Sequence, residues 1–373
     1  MTDETRTGNI RDSIAKAELW LPSSDLDADL AFFTKRLAFR IETIFPADHP
    51  SVAVMSGYGI RLRLDRAATS GPSVLRLLCR DPSDGAGGTS ALTAPNGTRI
   101  QFVEADPARV SPATRHDFVV SRLADGGSWL KGRAGMLYRD LIPGRLGGAV
   151  IASHIRIPDA GPVADSVHFH NVAFQLIYCY RGWVRLVYED QGPAFVLEAG
   201  DCVIQPPQIR HRVLEASAGL EVIELTTPAE HITTMDHDMG LPNPVHRPDR
   251  GFSGQRFHRS AAADADWKPS RWPGFEAQET GIGAAVGGAA SVSVLRPVGG
   301  ASETWTRHGA DILFGFVLRG TVTLRADGHP ARELCEADAW VLPPEMKIAL
   351  AQPSQDLRVL EVALPGTFPT TLW

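Results

Sequence analysis

Two stretches of the chain decide its fold: GPVADSVHFHNVAFQLIYCYRG at residues 161–182 and GDCVIQPPQIRH at residues 200–211. Side chains on a β-strand alternate between its two faces, so His168 and His170 point the same way and Phe169 points the other way. Two imidazoles on one face of a strand converge on a single point. The first stretch therefore predicts a pair of ligands for one divalent metal ion.

The second stretch and the rest of the first complete this predicted site. His211 follows a glycine turn and a Pro-Pro step, and Gln175 begins an apolar run on the inward face of the next strand. Imidazole and carboxamide donors are neutral, so the ion keeps its charge and prefers a substrate that binds as an anion. We expect Fe(II), with Mn, Ni, Co or Zn as alternatives. Gln175 either binds the metal or hydrogen-bonds to a metal-bound water or substrate, and both roles stay open.

The glycine, histidine and proline spacing of these stretches resembles the two signature motifs of the cupin superfamily. A parallel copy follows: GMLYRDLIPGRLGGAVIASHIRIPDAG from Gly135 parallels GFEAQETGIGAAVGGAASVSVLRPVGG from Gly274, and EAGDCVIQPPQIRH parallels EADAWVLPPEMKIA. The chain thus resembles a bicupin. This resemblance implies a mainly β protein with two jelly-roll barrels, at residues 135–228 and 273–373.

The second copy has lost most of the predicted ligands. Alignment of the two copies places Thr306 and His308 at the histidine pair, Leu313 at the position of Gln175 and Ile348 at that of His211. We therefore expect the second barrel to be a metal-free partner of the first.

The three-histidine pattern is similar to that of cupin dioxygenases acting on β-dicarbonyls, thiols or phenols. This likeness implies a mononuclear non-haem metalloenzyme that oxidises a small chelating anion. Arg156, on the strand before the first motif, is a candidate for orienting that anion, although a solvent-facing charge is the simpler reading. Two alternatives stay open: a metal-dependent lyase or isomerase with Glu224 as its base, and a non-catalytic binding protein.

Residues 15–110 resemble one module of the vicinal-oxygen-chelate family, which includes the glyoxalases. The resemblance rests on LWLPSSDLDADLAFF and APNGTRIQFVE, with predicted elements in the order βαβββ. In that family, metal ligands lie on the first and last strands, here Glu18 and Gln101. Such modules close a site in pairs, so a structural module that pairs in a homodimer is the favoured reading, ahead of a second metal site.

The remaining segments and the composition indicate linkers, partners and location. Residues 1–14 are polar and predicted to be mobile, and residues 111–134 and 229–272 are predicted linkers. The net charge of −6 gives no reason to expect a nucleic-acid partner. The sequence has neither the long apolar run of a membrane helix nor a signal peptide, so we expect a cytoplasmic protein that binds a small molecule.

Overall fold

The computed structural model describes residues 15–46, 50–82, 89–105, 107–126, 128–264, 266–299 and 304–373. The segment predicted to be mobile, residues 1–14, lies outside the described residues. The chain divides into two compact units, Met1–Ala108 and Arg109–Trp373. Among the described residues, no helix is long and apolar enough to cross a membrane.

The first unit contains two sheets that share one apolar core. In its four-stranded sheet the order is β1 (Leu19–Pro22), β4 (Ile60–Asp65), β3 (Val52–Gly57), β2 (Arg40–Phe45). In its three-stranded sheet the order is β5 (Val74–Cys79), β7 (Arg99–Glu104), β6 (Ala91–Thr93). An α-helix, Leu26–Ala31, continues into a π-helical turn, Phe32–Arg36, and buries Leu26 and Phe33 in this core.

The βαβββ order occurs in this unit, but over other strands than predicted. It is complete within residues 19–65, whereas the prediction extended it to Val103. The difference arises at β2, which the sequence analysis missed because all six of its residues are exposed and no buried face marks it. Glu18 precedes β1, and Gln101 lies on β7 of the other sheet, so the two do not lie on the first and last strands of one βαβββ module. Glu18 instead forms ion pairs with Arg61, at 3.3 Å, and Arg63, at 3.8 Å.

The second unit begins with a barrel of two facing sheets. One sheet has the order β23 (His258–Ser260), β17 (Cys202–Ile204), β14 (Phe174–Arg181), β19 (Leu220–Thr227), β11 (Ile151–Ile157), β10 (Leu137–Asp140), β9 (Leu130–Lys131). The other has the order β16 (Phe195–Glu198), β15 (Trp183–Tyr188), β18 (His211–Ala216), β13 (His168–Asn171), β20 (Ile232–Met235), with β12 (Gly161–Pro162) pairing with β18. The inward faces of both sheets form the core of this first barrel.

A second barrel repeats the plan. Its larger sheet has the order β24 (Trp267–Pro269), β25 (Phe275–Glu279), β26 (Ser291–Pro297), β33 (Arg358–Leu364), β28 (Ile312–Arg319), β31 (Ala339–Leu342), β8 (Val119–Ser121). Its smaller sheet has the order β30 (Arg332–Leu334), β29 (Val322–Ala326), β32 (Ile348–Ala351), β27 (Thr306–His308), β34 (Thr370–Leu372). A hairpin, β21 (Gly251–Phe252) and β22 (Gln255–Arg256), precedes this barrel, and the helices of the unit are short: Ile282–Ala285, with 3-10 turns at Leu123–Asp125, Arg133–Gly135, Arg145–Gly148 and Ala262–Asp264.

The two barrels pack through the outer faces of their larger sheets. Tyr178, Tyr180 and Ile223 of the first barrel share one buried cluster with Phe314 and Phe316 of the second. Both tyrosines lie outside the first barrel and are covered by its partner barrel.

The two predicted linkers also contribute strands, and each one adds a strand to both barrels. In the first linker, β8 extends the second barrel beside β31 and β9 extends the first beside β10. In the second linker, β23 extends the first barrel beside β17 and β24 extends the second beside β25. These segments therefore link the two barrels through strand pairing.

Candidate metal centre

Three histidines meet inside the first barrel. His168 and His170 alternate with outward residues on β13, and β13 pairs with β18 so that His168 lies directly opposite His211. All three side chains are buried, and the nitrogen atoms that they offer to a metal lie within 4.8 Å of one another. The structure thus brings together the three ligands that the sequence predicted.

Hydrogen bonds fix which ring nitrogen of each histidine faces the centre. Nδ1 of His168 lies 2.7 Å from the carbonyl oxygen of Ser166, and Nδ1 of His211 lies 3.0 Å from that of Ile209. A carbonyl oxygen only accepts, so both Nδ1 atoms carry the proton and the ring lone pair is on Nε2. Nδ1 of His170 lies 3.0 Å from the hydroxyl of Thr233, which donates to the carbonyl oxygen of His231 at 3.5 Å and can therefore accept from Nδ1. This donor set fits a divalent metal bound through three Nε2 atoms.

Gln175 of β14 is almost completely buried and is linked to this group through His231. Its amide nitrogen donates to Glu224 Oε1 at 2.6 Å and lies 3.1 Å from Nε2 of His231. A carboxylate accepts but cannot donate, so the amide nitrogen must face Glu224 and the amide oxygen must face away. That oxygen is buried and has no hydrogen-bond partner among the described residues. An oxygen in this state fits either role that the sequence left open, ligand or contact to a bound molecule.

Glu224 and His231 complete the polar end of the site. Glu224 lines the cavity from β19, as expected of a candidate base, and its Oε1 lies 3.7 Å from Nε2 of His231. The His231 ring centroid is 4.4 Å from that of His170. The backbone of His231 has a φ of 47°, a left-handed conformation that costs free energy and is concentrated at functional sites. Sequence analysis missed this residue because it lies in a segment without periodicity.

A cavity of about 260 Å³ opens onto the three histidines. Its walls are largely apolar and come from both sheets: Met136, Ile151, Ile155, Ile157, Ile177, Val184, Leu186, Val213, Leu220 and Val222. The polar groups of the lining are mostly around the histidines, so the site combines a metal-binding end with an apolar chamber.

The expectation that Arg156 orients a substrate in this cavity is wrong. Ser153, Ile155 and Ile157 of β11 line the cavity, so Arg156 points out of the barrel. There its guanidinium stacks over the Trp129 ring at 4.1 Å and forms an ion pair of 3.4 Å with Glu221.

His154 shares that outward face. Burial lowers its pKa, outweighing its 2.5 Å hydrogen bond to Glu221. Burial alone would raise the pKa of Glu221, but the His154 contact and two nearby arginines lower it. His154 therefore belongs to the packing between the barrels, where its ring centroid lies 5.6 Å from that of Phe316 of the second barrel.

The second barrel has a different interior at the equivalent place. Thr306 and His308 are buried there, and Leu313 and Ile348 lie in its apolar core. Glu361, the counterpart of Glu224, is held by two hydrogen bonds from Arg271, at 3.1 and 2.6 Å. A guanidinium thus balances the carboxylate inside this barrel.

No family model and no curated protein matches the sequence. Among solved structures, a salicylate 1,2-dioxygenase from Pseudaminobacter salicylatoxidans matches with 13% identity and a TM-score of 0.53, over 71% of this chain and 91% of that one. A variant oxalate decarboxylase from B. subtilis matches with 14% identity and a TM-score of 0.51, over 70% and 81%. Protein Ylba from E. coli matches with 12% identity and a TM-score of 0.50, over 69% and 94%.

These structural neighbours are cupin proteins, and at such identities the likeness shows the fold alone. It confirms the bicupin fold that the motif resemblance predicted.

Proposed function

We propose that the chain is a mononuclear non-haem metalloenzyme of the dioxygenase class, with Fe(II) as its first candidate metal and Mn, Ni, Co or Zn as alternatives. The observation that carries this proposal is the convergence of His168, His170 and His211 on an apolar cavity. A bound ion would supply Lewis acidity and open positions for substrate and O2. The names of two structural neighbours, a dioxygenase and a decarboxylase, support metal-dependent chemistry on small acids.

The protein's own groups would bind, orient and shield the substrate. Neutral imidazole donors leave the charge of the ion uncompensated, which favours a substrate that becomes anionic at the metal. The amide of Gln175, fixed by Glu224, presents its oxygen as a further ligand or as a contact to that substrate. The apolar walls exclude water from the reacting groups.

A second candidate function is a metal-dependent lyase or isomerase. It is favoured by one observation: Glu224 lines the cavity next to His231 and can accept a proton from a bound substrate. Turnover without O2 would distinguish this reaction from the first.

The metal content of the purified protein tests the site. We expect one metal ion per chain, and loss of that ion in the variant His168→Ala/His211→Ala. The variant His237→Ala, which removes an exposed histidine, is the matched control and should keep the metal. Full metal content in the double variant would refute the site.

An oxygen electrode then tests the reaction with β-diketones, hydroquinones and thiols. Oxygen uptake supports a dioxygenase, and product formation under nitrogen supports a lyase or isomerase. Tight binding without either outcome would leave a binding protein and would refute the enzymatic proposal.

For the N-terminal unit, we propose a vicinal-oxygen-chelate-like module that pairs with a second copy in a homodimer. The βαβββ order over residues 19–65 supports this assignment. Large exposed apolar side chains, including Trp20 at 54% and Tyr58 at 67% exposure, support a pairing surface. Sedimentation of the full chain and of residues 109–373 tests this role. If the truncated chain has the same oligomeric state as the full chain, the pairing role is refuted.

A further inference from the structure

On four of the strands that line the cavity of the first barrel, an arginine lies directly beside a lining residue and so points away from the cavity. These arginines are Arg139 on β10, Arg156 on β11, Arg185 on β15 and Arg212 on β18. Each is next in sequence to a residue that lines the cavity, so its own side chain is on the other face of the strand. Arg139, for example, follows the lining residue Tyr138 and donates to the carbonyl oxygen of Ala337 in the second barrel. Among the described residues of the lining, none is an arginine or a lysine.

The cavity is also polarised along the barrel. On β19, Glu224 lies at the histidine end and Leu220 at the other, four residues or about 13 Å apart. On β15, Tyr188 pairs with His211 and so marks the histidine end. The lining residues Leu186 and Val184 lie progressively further from that end. The lining is therefore polar at the metal end and largely apolar over the rest of its length, where Tyr138 donates its hydroxyl to the sulfur of Met136 at 3.6 Å.

These two features limit how much charge a ligand can carry. One ionised group of the ligand can be neutralised at the metal. A second charge, on the part of the ligand that fills the apolar chamber, would be buried without a partner, which is strongly unfavourable. Glu224, the acidic side chain of the lining, would repel a second carboxylate further.

We propose that the substrate has a single ionisable chelating head and an uncharged apolar tail that lies between β11, β15 and β19. Chelators with a further carboxylate or ammonium group are excluded by the chamber. This inference rests on the proposed metal site and names the substrate class for it.

A matched trio of catechols separates charge from size. The ligands are 4-propylcatechol, 3-(3,4-dihydroxyphenyl)propanoate and the methyl ester of that acid, titrated calorimetrically into iron-loaded full-length protein under nitrogen. We expect the alkyl compound and the ester to bind at least about tenfold more tightly than the acid. The ester is larger than the acid, so poor fit cannot explain that order.

Two variants test the location of the tail. Val222→Phe narrows the chamber and should weaken 4-propylcatechol at least about tenfold while leaving unsubstituted catechol unchanged. Ile157→Arg places a cation at the far end, opposite Leu220, and should reverse the order of acid and ester. Val196→Arg adds the same charge at an exposed position outside the cavity and should leave the order as in the wild type.

The outcomes separate the substrate class from the metal site itself. Protein without stoichiometric metal refutes the proposed function and this inference with it. Metal-loaded protein that binds the acid as tightly as the ester, or that binds none of the trio, overturns the inference and leaves the metal site standing. Normal propylcatechol binding by folded Val222→Phe protein overturns the placement of the tail.

Discussion

At the scale of single residues, Thr233 orients one of the three histidines. Its hydroxyl lies 3.0 Å from Nδ1 of His170 and thereby sets the ring so that Nε2 faces the other two histidines. Replacement of such a partner commonly weakens metal binding by about 10- to 100-fold. We expect Thr233→Val, which keeps the shape of the side chain, to lower metal affinity by that factor in a chelator competition.

The neighbouring residue provides the control for this prediction. Thr234 pairs with the outward residue Phe169, so Thr234→Val changes the same chemistry on the other face of β20. It should leave metal affinity as in the wild type. Equal effects of both variants would mean that β20 acts through its backbone alone.

His308 gives a pH-dependent prediction in the second barrel. Burial, with the nearby Arg271 charge, lowers its pKa from 6.5 to about 4. The unfolded chain then binds the proton more readily, so stability is complete above pH 6.5 and falls as the pH drops through 4. The loss approaches about 3 kcal/mol at one histidine, from the shift multiplied by 1.36 kcal/mol for each pH unit.

Urea unfolding at pH 7.5, 5.5 and 4.5 measures this loss. His308→Leu should unfold with a shallower dependence on pH than the wild type over this range. His237→Leu, at an exposed site, should follow the wild type. Parallel curves for the wild type and His308→Leu would contradict the assignment.

The same scale shows what the sequence can and cannot reveal about the site. His168 and His170 were predictable because their geometry depends on strand alternation over three residues. His231 was not, because its place beside His170 depends on the return of a distant segment with no pattern of its own. Arg156 was a candidate for orienting an anion, with a solvent-facing charge as the simpler reading, and alternation with Ile155 and Ile157 puts its side chain on the outward face.

At the scale of elements, the long strands of the barrels were predictable from the sequence. The short strands that the predicted linkers add to the barrels were not. β14 and β19 are eight residues each, long enough for their apolar residues to indicate a strand. β8 is three residues long and β9 is two, which is too short for a periodic pattern to be recognised. They form strands because they pair with the edge strands β31 and β10. For this reason residues 111–134 and 229–272 were predicted to be linkers.

One of these short strands supports a stability prediction. Val120 of β8 pairs with Trp340 and packs against the core of the second barrel. A carboxyl group there would be partly buried without a partner, so Val120→Asp should lower the free energy of unfolding by about 2 kcal/mol. Val110→Asp, at a position that is 75% exposed, is the control and should have little effect in denaturant titrations. If β8 only rests on the surface, the two variants will unfold alike.

At the scale of the whole molecule, the duplication has left two barrels with different internal charges. Three neutral histidines converge in the first, whereas Arg271 neutralises Glu361 in the second. The larger sheets of both barrels share one apolar cluster and exchange strands through both connecting segments. The second barrel is thus part of the scaffold that positions β14 and β19, and through them Gln175 and Glu224.

This arrangement predicts how the chain responds to division. The apolar clusters of both barrels, and the cluster between them, are built from residues of Arg109–Trp373, whereas the cluster of the first unit is built from residues 21–102. Residues 109–373 expressed alone should therefore fold, keep one metal ion per chain and unfold in a single transition at the temperature of the barrel transition in the full chain. Calorimetry and metal analysis measure both properties. Loss of the metal from residues 109–373 would show that the barrels depend on the first unit. Separate transitions for the two barrels would show that they do not unfold as one cooperative body.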